Sequence, residues 1–290
     1  MLSKLRRMMA RTGGLLRKLD RLDKIHAMLV QESFTSLKSQ PRHQDPRSLV
    51  PFGYKMYSQN EEDGIIREIF QRIGVTNKVF VEFGVGNGLE NNTLALLFDG
   101  WSGLWIDADE AATQSIRDNY KKTIAAGALK ITRSFITRDN INDLISAAIP
   151  AGEIDLLSVD IDGNDFHVFS AITCVKPRVV VIEYNAKFRL PVLFCMDYDA
   201  GHMWRHDDCL GASLKFLEGE FRKRNYCLVG CTLNGTNAFF VRADLAGDKF
   251  AEPFTAERHY EPARHYMAYS SGHQPSHRTL EMSMAARKGR

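Results

Sequence analysis

Two groups of residues in this 290-residue chain have the types and spacing to do chemistry. The first is acidic. Asp160, Asp162 and Asp165 follow one β-rich run, residues 154–160, and Glu183 ends the next, residues 178–183. If these runs are neighbouring parallel strands, Asp160 and Glu183 share one rim of a sheet. A carboxylate there can take a proton from a weakly nucleophilic hydroxyl. It can equally hold a hard divalent ion such as magnesium or manganese, with Asp160, Asp162 and Glu183 as the expected ligands. The structural alternative is that Asn164 or Asp165 caps the next helix and the others line a solvated turn. This is not an EF-hand loop, because Gly163 comes too early. A long insert, residues 185–210, adds His202, Trp204, Arg205, His206, Asp207 and Asp208. His206 is the alternative base, although a lone histidine is more often structural.

The second group is the run Glu82-Phe83-Gly84-Val85-Gly86-Asn87-Gly88, at the end of another β-rich stretch. Glycines there let the backbone turn tightly and approach a ligand closely. By itself such a run says only that a nucleotide-like ligand is conceivable. The acid before it narrows the choice, because Glu82 would repel a pyrophosphate but suits the ammonium and sulfonium charges of S-adenosylmethionine. Asp107 ends the next β-rich run, 25 residues on, where an acidic side chain can accept both ribose hydroxyls. Asp109 competes for that role, and either could instead cap a helix. Ser134 and Phe135 end a third run and could flank an adenine.

These residues need a scaffold that brings strand ends together. Strand-like runs at 79–83, 103–107, 129–135, 154–160 and 178–183 alternate with helix-like stretches at 94–98, 110–121, 140–149 and a short one from 165. That alternation predicts a parallel sheet with helices on both faces. The ending differs. A helix over 212–224 precedes a run at 226–231, a tight turn Leu233-Asn234-Gly235-Thr236 and a run at 237–242. Asn-Gly between two β-rich runs signals a hairpin. The predicted fold is therefore α/β and Rossmann-like in the manner of methyltransferases. Its seven-stranded sheet is mostly parallel and ends in an antiparallel hairpin, with a helical arm in front.

With these motifs in order, the chain resembles the FkbM-like methyltransferases. Tyr57-Ser58-Gln59-Asn60-Glu61-Glu62-Asp63 looks like that family's tyrosine-serine-glutamine opening motif. Val81 to Gly88, followed by Asn92-Thr93, is similar to its first loop and the helix start after it. Gly100-Trp101-Ser102-Gly103-Leu104-Trp105-Ile106-Asp107 is similar to its glycine-tryptophan-x-glycine second strand, and Ile154 to Asp160 and Val181-Ile182-Glu183 to its fourth and fifth. The resemblance covers residues 54–245. It implies S-adenosylmethionine as donor, held by Gln59, Glu82, Gly84, Gly86, Asn87, Thr93, Asp107 and Ser134. It also implies O-methylation of a sugar, a glycan or a natural product. After Asp160 the chain departs from the family, reading Asp162-Gly163-Asn164-Asp165 where an acidic residue, glycine and a later glutamate are usual.

Composition constrains the alternatives. Apolar residues make up 44% and charged ones 25%, enough to bury a core. No apolar run approaches the roughly 18 to 20 residues that span a bilayer, and no secretory h-region follows the basic N-terminus. Five cysteines without a C-x-x-C pair suggest a reducing compartment and no zinc site. The cytoplasm is the expected location, with the inner membrane face reachable through the arm. Residues 1–50 hold 11 Lys/Arg and 4 Asp/Glu, whereas residues 51–290 carry a net charge of −4. An acidic body lacks a long phosphate track. No Asn-Pro-Pro-Tyr tetrad or Pro-Cys pair supports base methylation. Methylation of nucleic acid or protein, and a non-catalytic module binding cofactor or partner, remain the competing functions. In the arm, Leu15, Leu19, Leu22 and Leu29, with His26 between, follow a 3–4 spacing. That helix is expected to bind a partner or a second copy, to lie on a membrane using Lys4, Arg6, Arg7 and Arg11, or merely to pack on its own domain. Proline-rich residues 40–51 read as a linker to a domain over 51–250. Residues 251–290, with His259, His265, His273 and His277, read as a partly disordered tail without a metal role.

Overall fold

The computed structural model describes residues 2–267 and 272–287, with side chains described from residue 18 to 284, apart from 20 and 268–271. Along the chain come α1 (Leu2–Lys38), 3-10 turns at Pro41–His43 and Val50–Phe52, α2 (Glu62–Ile73), β1 (Val79–Phe83), α3 (Leu94–Phe98), β2 (Ser102–Asp107), α4 (Glu110–Asn119), α5 (Lys121–Ala125), β3 (Leu129–Arg133), α6 (Ile141–Ser146) and β4 (Gly152–Val159). Then follow α7 (Asp165–Ala171), β5 (Val175–Glu183), α8 (Leu214–Lys223), β6 (Tyr226–Cys231), β7 (Asn237–Arg242), α9 (Ala243–Ala246), α10 (Ala256–His259) and α11 (His277–Arg287).

The strands form one sheet in the order β3-β2-β1-β4-β5-β7-β6. β1 to β5 pair in parallel, while β7 runs antiparallel to both β5 and β6. The central strands are continuous apolar runs because both faces are covered. Val81, Leu104, Leu157 and Val180 face one core, with Ile141, Val168, Leu217 and Phe221 from the helices on that side. Phe80, Trp105, Leu156 and Val179 face the other, under Ile65, Ile69, Leu94 and Ile116. The Asn-Gly hairpin is present. Gly235 takes φ +80, and a Cβ there would lie 2.5 Å from the Pro262 carbonyl oxygen, so the turn needs glycine.

Two expected boundaries do not divide the molecule. Residues 40–51 are no linker: two of their three prolines sit at the start of 3-10 turns, and His43, Ser48, Leu49 and Val50 are buried. Val30 and Phe34 of α1 pack with Val50, Leu233 and Met267. The Arg72 guanidinium ties this stretch to the body by donating to the carbonyls of Arg47 (2.6 Å) and Lys249 (2.9 Å). The tail, expected to be partly disordered, packs on the body over its described residues. Ala251, Ala256, His259 and Glu261 are buried, and Tyr184 donates to the Glu261 carbonyl at 2.6 Å. Helix α11 returns to the sheet's flank, where the Glu281 carboxylate accepts the backbone N–H groups of Lys122 and Thr123 at the start of α5. These segments cover existing surfaces through a few side chains each, so neither shows the periodicity of a core element. Helix α1 is longer than residues 15–29. The side chains of Lys4, Arg6, Arg7 and Arg11 lie outside the described residues.

Candidate functional site

A cleft of about 970 Å³ opens at the carboxyl ends of β1, β2, β4 and β5. This is where an open parallel sheet binds its ligands, because neighbouring crossovers leave in opposite directions and the loops separate.

One end of the cleft is backbone. Gly84 turns out of β1 at φ +70, and its missing Cβ would sit 1.7 Å from the Asp160 carbonyl oxygen. No other residue fits there, so the first loop is locked against the end of β4. Gly86, at φ +51, has nothing within 4 Å of its Cβ position and faces open space. Asp107 closes the loop from the next strand. Its Oδ2 accepts the Gly86 N–H at 2.7 Å and its Oδ1 accepts the Asp109 N–H at 2.8 Å. Asp109 is the helix cap, accepting from the Ala112 N–H, which leaves Asp107 on the cleft wall. Ser134, Phe135 and Ile136 continue that wall, with Phe135 45% exposed. Gln59 and Asn60 face it from the other side. Their loop is shaped by Asp63, whose Oδ2 accepts the N–H groups of Met56, Tyr57 and Ser58.

Glu82 and Thr93 do not face this cleft, contrary to their expected role in holding the donor. Glu82 is buried behind the loop, and its oxygens accept the N–H groups of Asn92 (2.8 Å) and Thr93 (3.1 Å) and the Thr93 hydroxyl. Thr93 in turn accepts from Trp105 Nε1 at 2.7 Å. Burial pushes the Glu82 carboxyl up to about 7, held down only by those donors. The pair braces the glycine loop from below, a function that spacing alone does not separate from ligand contact. Asn87 does line the cleft, and its carbonyl is 2.9 Å from His277 Nε2 of α11. The tail thus supports the loop, a contact that no local motif announces.

The other end is acidic. Val159↔Ile182 is the last registered pair of β4 and β5, so Asp160 and Glu183 leave the two strands side by side. One carboxylate oxygen of Asp160, Asp165 and Glu183 lies within 4.8 Å of those of the other two. Asp165, rather than Asp162, completes the cluster. Asp162, at φ +54, lines the cleft but is not one of the clustered carboxylates, whereas Asp165 joins them from the start of α7. The Asp165 oxygens accept the N–H groups of Ile161 and Gly163, while Glu183 Oε2 is buried with no hydrogen-bond partner. No Lys or Arg ion pair is recorded for the three among the described residues. Burial, and then mutual repulsion, raise the Asp160 and Glu183 carboxyls well above their ordinary range. Asp165 rises less, to about 6, because the two N–H donors favour its charge. Asp162 is raised by burial against the pull of His202 and His206.

The insert roofs this end. Asn185 fastens its far end by donating to the carbonyls of Asp208 and Leu210. His202 lines the cleft, with Nε2 3.1 Å from the Asp162 carbonyl oxygen, and Trp204 lies beside it. His206 is exposed, its ring tilted 55° to that of Trp204 with centroids 4.5 Å apart, and it does not line the cleft, so the expected alternative base is not placed at the acidic end. Tyr184, Asn234, Thr236 and His265 complete the lining. Tyr184 follows Glu183 at the end of β5, and the other three come from the hairpin turn and the tail, which sequence reasoning had left without a role. No helix among the described residues is long and apolar enough to cross a membrane, and all five cysteines are free.

The sheet has the Rossmann-like methyltransferase fold. Among solved structures, the chain is similar to the METTL16 methyltransferase domain (13% identity, TM-score 0.39, 61% of this chain and 65% of that one). It is also similar to the methyltransferase domain of bacterial CtHen1-C (14% identity, TM-score 0.40, 62% and 95%). A third similar structure is M. capricolum TrmK in complex with S-adenosyl-homocysteine (11% identity, TM-score 0.38, 61% and 65%). The chain therefore spans just under two thirds of the length of the first and third. No protein-family model and no curated protein matches it.

Proposed function

We propose that the protein is an S-adenosylmethionine-dependent O-methyltransferase of FkbM-like type, acting on a hydroxyl of a sugar, glycan or natural-product acceptor. The observation that carries this reading is the pairing of two unlike ends in one cleft. A glycine loop tied to Asp107 faces a cluster of three carboxylates a strand or two away.

The donor end fits the cofactor's parts. Gly86 offers open backbone, the Asp107 carboxylate on the cleft wall suits ribose hydroxyls, and Phe135 with Ile136 offers apolar surface to an adenine. Acidic walls suit a ligand that carries both an ammonium and a sulfonium. Bound there, S-adenosylmethionine supplies an electrophilic methyl group. The residues at the other end have two tasks, to orient the acceptor hydroxyl and to take its proton. Asp160 and Glu183 stand at that place. Their raised pKa makes each a stronger base once ionised. Trp204 and His202 give the roof an aromatic face and a polar edge, which suits a sugar ring and its hydroxyls.

The same cluster fits a divalent cation of the magnesium or manganese kind. Magnesium holds its oxygen ligands at about 2.1 Å, so two of them lie at most about 4.2 Å apart, and the three carboxylate oxygens, within 4.8 Å of one another, would draw in slightly to share it. The unpartnered Glu183 Oε2 offers a free ligand position, and Asp165 takes the place first given to Asp162. An ion there would relieve the repulsion among the three carboxylates and lower the acceptor's pKa.

Incubation of the purified chain with labelled S-adenosylmethionine and a panel of nucleotide sugars and glycans tests the reading. Label transfer to a hydroxyl supports it. Calorimetry showing tighter binding of NAD than of S-adenosylmethionine overturns it. Cofactor binding with label passing only to RNA or protein overturns the acceptor class.

A further inference from the structure

The search for a second site leads away from the cleft to α1. From Val30 onwards this helix is packed on the body, but residues 18–29 leave it with their apolar side uncovered. Leu19, Leu22, Ile25, Met28 and Leu29 are 47–68% exposed. The helix runs 37 residues, about 55 Å at 1.5 Å per residue. A helix with its apolar side uncovered over the described residues 18–29 gains little from packing there, and Gly13 and Gly14 each cost about 1 kcal/mol in a helix interior. A partner surface is needed to hold such a helix.

We propose that this surface is α1 of a second copy, paired in parallel and in register as a short coiled coil that makes the protein a homodimer. The inference is independent of the reading of the cleft. Leu15, Leu19, Leu22, His26 and Leu29 repeat at 4, 3, 4 and 3 residues, the spacing of a two-helix seam. Charge selects the partner. At 100° per residue, Lys18 and Asp23 fall on opposite flanks of the Leu19–Leu22 seam, each roughly 70° from its centre. In a parallel pair the opposite flanks of the two helices meet, and residue i reaches residue i+5 of the other copy. Lys18 of each copy then faces Asp23 of its partner, twice by symmetry. An antiparallel pair would match like flanks and forgo this. A membrane fits less well, because the Asp23 carboxylate at the edge of the apolar face would be pressed against anionic headgroups.

The test uses the full chain and measures its mass by sedimentation and light scattering. The wild type is expected to be a dimer, and Leu19→Glu with Leu22→Glu a monomer whose body still unfolds in one cooperative transition, since neither side chain packs on the body of its own chain. Asp23→Lys alone should weaken the dimer by roughly tenfold or more in dissociation constant. The double exchange Lys18→Asp with Asp23→Lys should restore it, which only the parallel register allows. A monomeric wild type overturns the proposal, as does a dimer indifferent to the double glutamate variant or a charge exchange that fails to rescue. A monomer that co-sediments with phosphatidylserine vesicles assigns the stripe to a membrane instead.

Discussion

Replacing Asp160 by Asn keeps the side chain's shape and removes one of three crowded charges. If Asp160 takes the acceptor's proton, or holds an ion that lowers the hydroxyl's pKa, turnover falls by roughly a hundredfold or more. That corresponds to about 2.7 kcal/mol of transition-state stabilisation. Donor affinity should hold, because the contact between Asp160 and the glycine loop is made by its backbone carbonyl, which the substitution leaves in place. The neighbours should respond as well. Repulsion from Asp160 is the largest electrostatic cause of the raised Glu183 carboxyl, so Glu183 should ionise at lower pH in the variant. Single-turnover assays with labelled donor, together with calorimetric donor binding, separate the two ends of the cleft. Chelation separates the two mechanisms. Activity lost to a chelator and restored by magnesium or manganese identifies the ion, while indifference leaves the carboxylate as the direct base. Near-normal turnover in both Asp160→Asn and Glu183→Gln would refute both versions and move the search to His202, the histidine of the insert on the cleft wall.

Three further outcomes follow from the geometry. Asp107→Ala should weaken S-adenosylmethionine by roughly one to two orders of magnitude, since hydrogen bonds to a charged group are worth about 1.5–3 kcal/mol each; unchanged affinity by calorimetry would remove the ribose assignment. Glu61 should make the protein less stable as pH rises. Burial pushes its carboxyl from 4.5 up to about 8, so the folded chain holds a proton that the unfolded chain has lost, and stability falls progressively from about pH 4.5 to 8. Glu61→Gln should flatten that slope in thermal melts, and an unaltered slope would show that the group is ionised when folded. Phe34→Ala should cost about 3–5 kcal/mol in denaturant unfolding, because Phe34 is buried between α1 and the hairpin turn; a loss under 1 kcal/mol would mean that residues 30–38 detach freely.

The strands and the hairpin were legible in the sequence because each is a local signal. Apolar runs ending in Gly84, Asp107, Asp160 and Glu183 mark both a strand and the rim where it stops. Pairing of Asp160 with Glu183 followed from strand adjacency alone. Side-chain direction was not legible. Glu82 and Asp107 both end strands, yet Glu82 turns under the loop to meet Asn92 and Thr93 while Asp107 meets Gly86 from the cleft side. The difference goes with contacts made across the chain, such as Trp105 Nε1 donating to the Thr93 hydroxyl 12 residues away. Asp165 takes the place expected for Asp162 in the cluster, and the left-handed backbone at Asp162 that goes with this is not written in the spacing. The tail hid itself because it acts through isolated contacts. His277 on the Asn87 carbonyl and Glu281 on the start of α5 carry no period to detect.

Those tail contacts bear on how the cleft is held together. Among the contacts that fix the glycine loop are Asp107 on the Gly86 N–H, the Asp160 carbonyl against Gly84, and His277 on the Asn87 carbonyl. Two of these come from the sheet and cannot move without unfolding it. The third comes from a helix that buries Leu280 in the core and is also tied to α5 by Glu281, whose carboxylate accepts Lys122 N–H, Thr123 N–H and the Thr123 hydroxyl. Glu281→Gln removes the charge that makes those bonds strong, and should loosen α11 without touching the cleft. The expected result is earlier proteolytic cleavage between residues 268 and 287, with donor affinity reduced by a few-fold and turnover per bound donor unchanged. An equal loss in turnover would mean that the tail acts on the acceptor end instead, through His265, which lines the cleft.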